Sequence, residues 1–154
     1  MHRLLSQLGR WIRSSGLFSW RYRITADPET NLGLAGEQAA IRYLARQGYR
    51  IVVHSHRQKR SEIDIIALDG NQLVFIEVKT WRSDRVADPS AAVDRQKQAR
   101  LTRAALAYMK RHHLLHHRAR FDVISVVWPL GGREPRIRHY SHAFEAVGNG
   151  QFFC

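Results

Sequence analysis

Cysteine, proline and acidic side chains are all scarce in this chain, and each shortage removes a class of protein. The one cysteine is Cys154, so no internal disulfide framework can form, and a cytoplasmic, reducing setting is expected. No run comes near the roughly 18 apolar residues that cross a bilayer, which argues against stable membrane insertion. Four prolines in 154 residues, with no repeat or low-complexity tract, exclude fibrous and proline-rich disordered architectures. Asp and Glu number 13 against 25 Lys and Arg, a formal charge of +12 that exceeds what solubility needs.

What is present is enough apolar material, 44% of residues, for one sizeable core, and the length suits a single domain. The expected domain spans residues 31–146, after a basic extension over 1–30 and before a tail over 147–154. The extension has five Arg and no acid through residue 26, with Leu4, Leu5, Leu8, Trp11 and Ile12 at helical spacing. Basic residues recur along the rest of the chain, a spread that suits a phosphate backbone better than one small anion. A polyanion such as nucleic acid is therefore the expected partner. Contacts are expected from Arg57, Lys59, Arg60, Arg82, Lys97 and Arg100, with Trp81 able to stack on a splayed base.

Breakers and periodicity divide the domain. Ala40, Ile41 and Leu44 mark one face of a helix over residues 33–47, which Gly48 ends in a left-handed conformation. Tyr49 to His54 is β-rich. Glu62 to Leu68 and Leu73 to Lys79 read as two strands of a hairpin, and Thr80 to Pro89 as a surface loop. Val93, Leu101, Ala104, Ala105, Tyr108 and Met109 predict a second helix over about 90–112 with a basic face. Phe121 to Trp128 reads as a buried strand, and Ile137 to Tyr140 as an edge strand. The order indicates an α/β fold with a mixed central sheet flanked by helices.

The hairpin carries the chemistry. Alternate strand residues share a face, so Glu77 and Lys79 point together. A loop over residues 69–72 sets Leu68 against Leu73, Asp64 against Glu77 and Glu62 against Lys79. A two-residue loop of Asp69 and Gly70 instead makes Asp64 and Glu77 diagonal neighbours, whereas a three-residue loop inverts the pattern. Opposed carboxylates repel unless they share a cation, and magnesium, with manganese as a substitute, takes one or two carboxylates while keeping water and a phosphate. Lys79 then either stabilises charge developing at the phosphate or orients the attacking water. Apolar residues occupy both hairpin faces, which sets these charges apart from an ordinary solvated surface. Glu37 lies on the apolar helical stripe, where an acid is costly unless paired or metal-linked, although acids also favour a helix's first turn. Lys97 lies comparably between Val93 and Leu101. His112, His113, His116 and His117 form two pairs at helical spacing, read as a helix C-terminus and not as a zinc site.

At these residues the chain resembles a known group. Asp64, a spacer and Glu77-Val78-Lys79 match the acid, spacer, acid-any-Lys pattern of a nuclease superfamily. Gly36-Glu37, Tyr43-Leu44, Gly48-Tyr49, Glu62 to Ala67, Val74 to Thr80 and Arg120 to Val123 extend the match. Together they are similar to the bacterial YraN family of candidate endonucleases, itself similar to archaeal Holliday-junction resolvases. The resemblance implies a restriction-endonuclease-like fold, with Asp64, Glu77 and the Val78 carbonyl as magnesium ligands. It also implies catalytic roles for Lys79 and Glu37. Ser61, Trp81 and the Val86 to Asp88 loop depart from the family's usual residues while the metal positions stay intact. The expected activity is phosphodiester hydrolysis in DNA, on branched or damaged structures, with a homodimer if four-way junctions are cut. The competing reading is a non-catalytic nucleic-acid-binding module that keeps the nuclease fold.

Overall fold

A computed structural model describes residues 23–54, 62–82, 93–132 and 134–148. The amphipathic segment over residues 1–22, the loop holding Arg57, Lys59 and Arg60, the Val86 to Asp88 loop and the last six residues lie outside them.

Helix α1 (Leu32–Arg46) is followed by β1 (Arg50–His54), β2 (Ile65–Asp69), β3 (Gln72–Arg82), α2 (Arg95–Arg111), β4 (Ala119–Trp128) and β5 (Arg136–Phe144). The strands form one five-stranded sheet in the order β1-β2-β3-β4-β5. Only β3 and β4 run parallel, and α2 is the crossover that joins them. The other neighbours are antiparallel. This mixed sheet between two helices is the α/β, restriction-endonuclease-like arrangement expected.

Helix ends follow local chemistry. Asn31 caps α1 by accepting the Leu34 N–H at 3.1 Å, and Gly48, at φ +89°, turns the chain out of it. Asp94 caps α2 by accepting the Lys97 N–H at 2.7 Å, so this helix starts at Arg95 and Val93 precedes it. It ends at Arg111, with His112 as its C-cap and His113 at φ 57°, so all four histidines lie beyond its last residue and form no helical pairs.

Two cores cover the two sheet faces. Ala35, Ala39, Ala40, Ile41 and Leu44 of α1 pack on Ile65, Ala67, Val74, Ile76, Ile124 and Val126. Leu101, Ala105 and Met109 of α2 pack on Ile66, Leu68, Leu73, Phe75, Phe121 and Val123. Each buried aliphatic or aromatic side chain contributes about 1.5–3 kcal/mol, so these two seams dominate the fold's cohesion. Gly36 allows α1 its close approach: a Cβ there would lie 1.9 Å from Thr80 Oγ1 on β3.

Candidate active site

The β2–β3 register continues unbroken from Asp69↔Gln72 to Ile65↔Ile76. Gly70 and Asn71 alone make the turn, with Gly70 at φ +58°, the conformation the first central position of a type II′ turn requires. The loop is thus shorter than the 69–72 span read from sequence, but the register is the one that span implied. One step past Ile65↔Ile76, Asp64 falls opposite Glu77.

Asp64 itself precedes β2, and the ladder no longer holds it. Its Oδ2 instead accepts the Val78 N–H at 2.8 Å, so the side chain takes over where backbone pairing stops. Burial and the nearby Glu77 carboxylate push the Asp64 carboxyl up to about 7; Glu37 adds to that push, against the Val78 amide and Lys97. Two further acids therefore act electrostatically on this one. Glu37 is half-buried on α1 beside Gly36, and its stripe partners Ala40, Ile41 and Leu44 are buried as the spacing predicts.

Glu77 is 4% exposed and shares the α2 side of β3 with Lys79. Lys79 Nζ lies 2.9 Å from Glu77 Oε1, and Lys97 Nζ, from the first turn of α2, lies 3.4 Å from Oε2. Neither ammonium hydrogen-bonds Oε2, which is buried without such a partner. A buried carboxylate oxygen lacking a donor, opposite an acid that resists ionisation, fits a hard cation that prefers oxygen ligands. Among the described residues no three His, Cys, Asp or Glu side chains converge to enclose a metal. Asp64, Glu77 and a carbonyl such as that of Val78 would leave the remaining positions to water and substrate, as is usual for magnesium.

The other anticipated residues separate. Trp81 and Arg82 belong to β3, which runs past Lys79 because its parallel pairing with β4 extends to Arg82↔Trp128. The stretch read as a surface loop from Thr80 is therefore strand through Arg82, and the rest of it lies outside the described residues. Arg82 is held by the Glu29 carboxylate and the Pro28 carbonyl, tying the segment before α1 to β3. Arg100 is exposed on α2, whereas the Lys97 side chain is only 20% exposed and turns toward Glu77 and Glu62. Glu62, expected opposite Lys79, lies instead 3.8 Å from Lys97, because residues 62–64 leave the strand. Sequence reasoning passed over Ser125, buried on β4 at the register position beside Lys79, and Thr80, which seats Gly36. Asp122 and Ser125 showed in the sequence only as polar breaks in an apolar run.

A sequence profile described as "Uncharacterised protein family UPF0102" matches residues 36–126, the span holding all four acid and lysine positions. A UPF0102 protein of Rhodopirellula baltica is 44% identical over 151 residues, covering 93% of this chain and 90% of that protein. One from Geobacter sulfurreducens is 45% identical over 114 residues, covering 74% and 88%. One from Geobacter metallireducens is 42% identical over 115 residues, covering 75% and 93%.

Proposed function

The chain belongs to the UPF0102 family, and from that premise we propose that it is a magnesium-dependent endonuclease that hydrolyses phosphodiester bonds in DNA. The observation that carries the reading is the convergence of Asp64, Glu77 and Lys79 where β2 begins against β3. A bound magnesium, for which manganese can substitute, would lower the pKa of water and neutralise charge on the phosphate. Asp64, Glu77 and the Val78 carbonyl would hold it. Lys79, 29% exposed beside Glu77, can turn its ammonium toward charge building on the phosphate. Glu37 adds an acid from the α1 side. The solvent side of α2 offers Arg95, Arg100, Arg103, Lys110 and Arg111, and the helix has no acid to neutralise them. Such a stripe suits a phosphate backbone. No described helix is long and apolar enough to cross a membrane.

The test is cleavage of linear, nicked, flapped and four-way-junction DNA with magnesium, manganese or a chelator. Metal-dependent cutting should fall by about a thousandfold or more in Glu77→Gln and Asp64→Asn, the scale seen when groups that act as a unit are removed. Cutting that survives both substitutions would sink the assignment. Preference for four-way junctions would require two coordinated incisions and hence a two-fold dimer, which light scattering would detect.

A second reading has one specific observation in its favour: Glu77 already has an ammonium near each oxygen, a self-contained arrangement. It describes a non-catalytic module, and salt-sensitive DNA binding without cleavage of any substrate is its expected outcome.

A further inference from the structure

Residues 62–64 carry Asp64 and immediately precede β2, which begins at Ile65. Contacts to α2 and β3 help to place them. Ile63 is buried in the α2-side core with Val93 and Leu101, Asp64 accepts the Val78 amide, and Glu62 meets Lys97. Lys97 Nζ lies 3.4 Å from the Glu62 carbonyl oxygen, 3.8 Å from Glu62 Oε2 and 3.4 Å from Glu77 Oε2. One ammonium thus faces oxygens on both sides of the gap that Asp64 and Glu77 span. It donates a hydrogen bond to the Glu62 carbonyl, and the two carboxylate oxygens attract it by charge. A phosphate-binding lysine would extend its head into solvent.

We infer that Lys97 is a positioning residue: it ties the 62–64 segment to Glu77 and so fixes Asp64 in the place where it can share a cation with Glu77. The sequence prepares this arrangement locally. Asp94 caps α2 through the Lys97 amide, setting the first helical turn, while Val93 and Leu101, buried on either side, turn Lys97 toward the sheet. The stem can then lie along the core while the ammonium meets the carboxylates. The role in metal binding rests on the nuclease reading; the placement of Asp64 does not.

The Val78 amide is the reporter, because its acceptor is Asp64. In metal-free, full-length protein without DNA, Lys97→Gln should speed Val78 amide exchange by about tenfold or more, the effect of losing one charge-assisted hydrogen bond. The Val74 and Ile76 amides should be unaffected, and Lys97→Arg should restore most of the protection. Manganese affinity, read by electron paramagnetic resonance, should fall in parallel. Unchanged Val78 exchange, with a salt slope for DNA binding reduced by about one, would make Lys97 a phosphate contact and overturn the inference. Should Lys97→Gln fail to fold, Glu62→Gln keeps the carbonyl contact and removes the ion pair. Faster Val78 exchange in that variant supports the inference, and unchanged exchange overturns it. A wild-type protein that cuts no DNA would defeat the nuclease reading and leave the Val78 result standing.

Discussion

Asp64, half-buried just before β2, and Asp122, buried on β4, are acids of the same sheet whose surroundings push them in opposite directions. Asp122, fully buried on β4, receives Arg120 Nε at 3.0 Å, the His142 amide at 3.0 Å and His139 Nε2 at 2.8 Å. Burial alone would raise its pKa, but the bonds from His139, Arg120 and the His142 amide hold it below the ordinary carboxylate range. Arg120 continues the network to Asp69 at 2.9 Å, Gln72 at 3.0 Å and the Tyr49 hydroxyl at 2.9 Å. That cluster joins β4 and β5 to the hairpin turn and the start of β1. Asp64 has one amide donor, two acids pressing on it, and a carboxyl raised to about 7. The chain satisfies the first acid by itself and gives the second one amide against two repelling acids, the imbalance on which the proposed cation site rests.

The largest test of this contrast is removal of each acid. Asp122→Ala leaves Arg120 buried with only Asp69, Gln72 and Tyr49, and should cost about 3 kcal/mol of stability by urea denaturation, toward the low end for breaking a buried ion pair. Its pH dependence should have the ordinary acid sign: the stabilisation is present above the unfolded pKa and lost as pH falls through the lower folded value. Asp64→Asn should cost little or stabilise. Equal destabilisation by the two substitutions would break the comparison.

A smaller effect tests whether α1 must sit so close to β3 at Thr80. A Cβ at Gly36 would meet Thr80 Oγ1 at 1.9 Å, Cγ2 at 2.7 Å and Cβ at 2.8 Å. Gly36→Ala should therefore cost about 1–3 kcal/mol by overpacking. Thr80→Ala removes the two nearest atoms and should recover part of that cost in a double-mutant cycle. If the two substitutions are simply additive, the helix has another way to adjust. If they couple, the neighbours Glu37 and Lys79 depend on that contact for their separation, and manganese affinity should fall with stability.

Local signals were legible and non-local ones were not. Gly48, the turn residues around Gly70-Asn71 and the alternation through β3 carry their reasons in the sequence, so α1 and the hairpin could be read directly, whereas the register was one of several that the undetermined loop length left open. The extension of β3 through Arg82 depends on parallel pairing with β4, more than forty residues away. The start of α2 was misread because Val93 keeps helical spacing while Asp94, as the cap, ends the helix beneath it. The Arg120–Asp122 network joins five segments and has no local pattern. Lys97 did leave a sign, its place between Val93 and Leu101, but whether its ammonium turns in or out depends on where Glu62 and Glu77 lie.

The smallest effect is the sharpest in sign. Asp64 has a carboxyl raised from 3.8 to about 7 on folding, so between those values the folded chain binds the proton more tightly than the unfolded one. Stability from this group therefore falls as pH rises from about 4 to 7 and stays lower above it. Asp64→Asn removes the penalty while its side-chain oxygen can still accept the Val78 amide. In metal-free protein it should raise the melting temperature by about 2–4 °C at pH 8 and change it little near pH 4. Magnesium should raise the wild-type melting temperature at pH 8 and leave the variant's nearly unchanged, because proton and cation compete for the same oxygens. A variant less stable than wild type at pH 8 would place Asp64 beside Asp122 as a structural acid and remove the electrostatic case for a cation there.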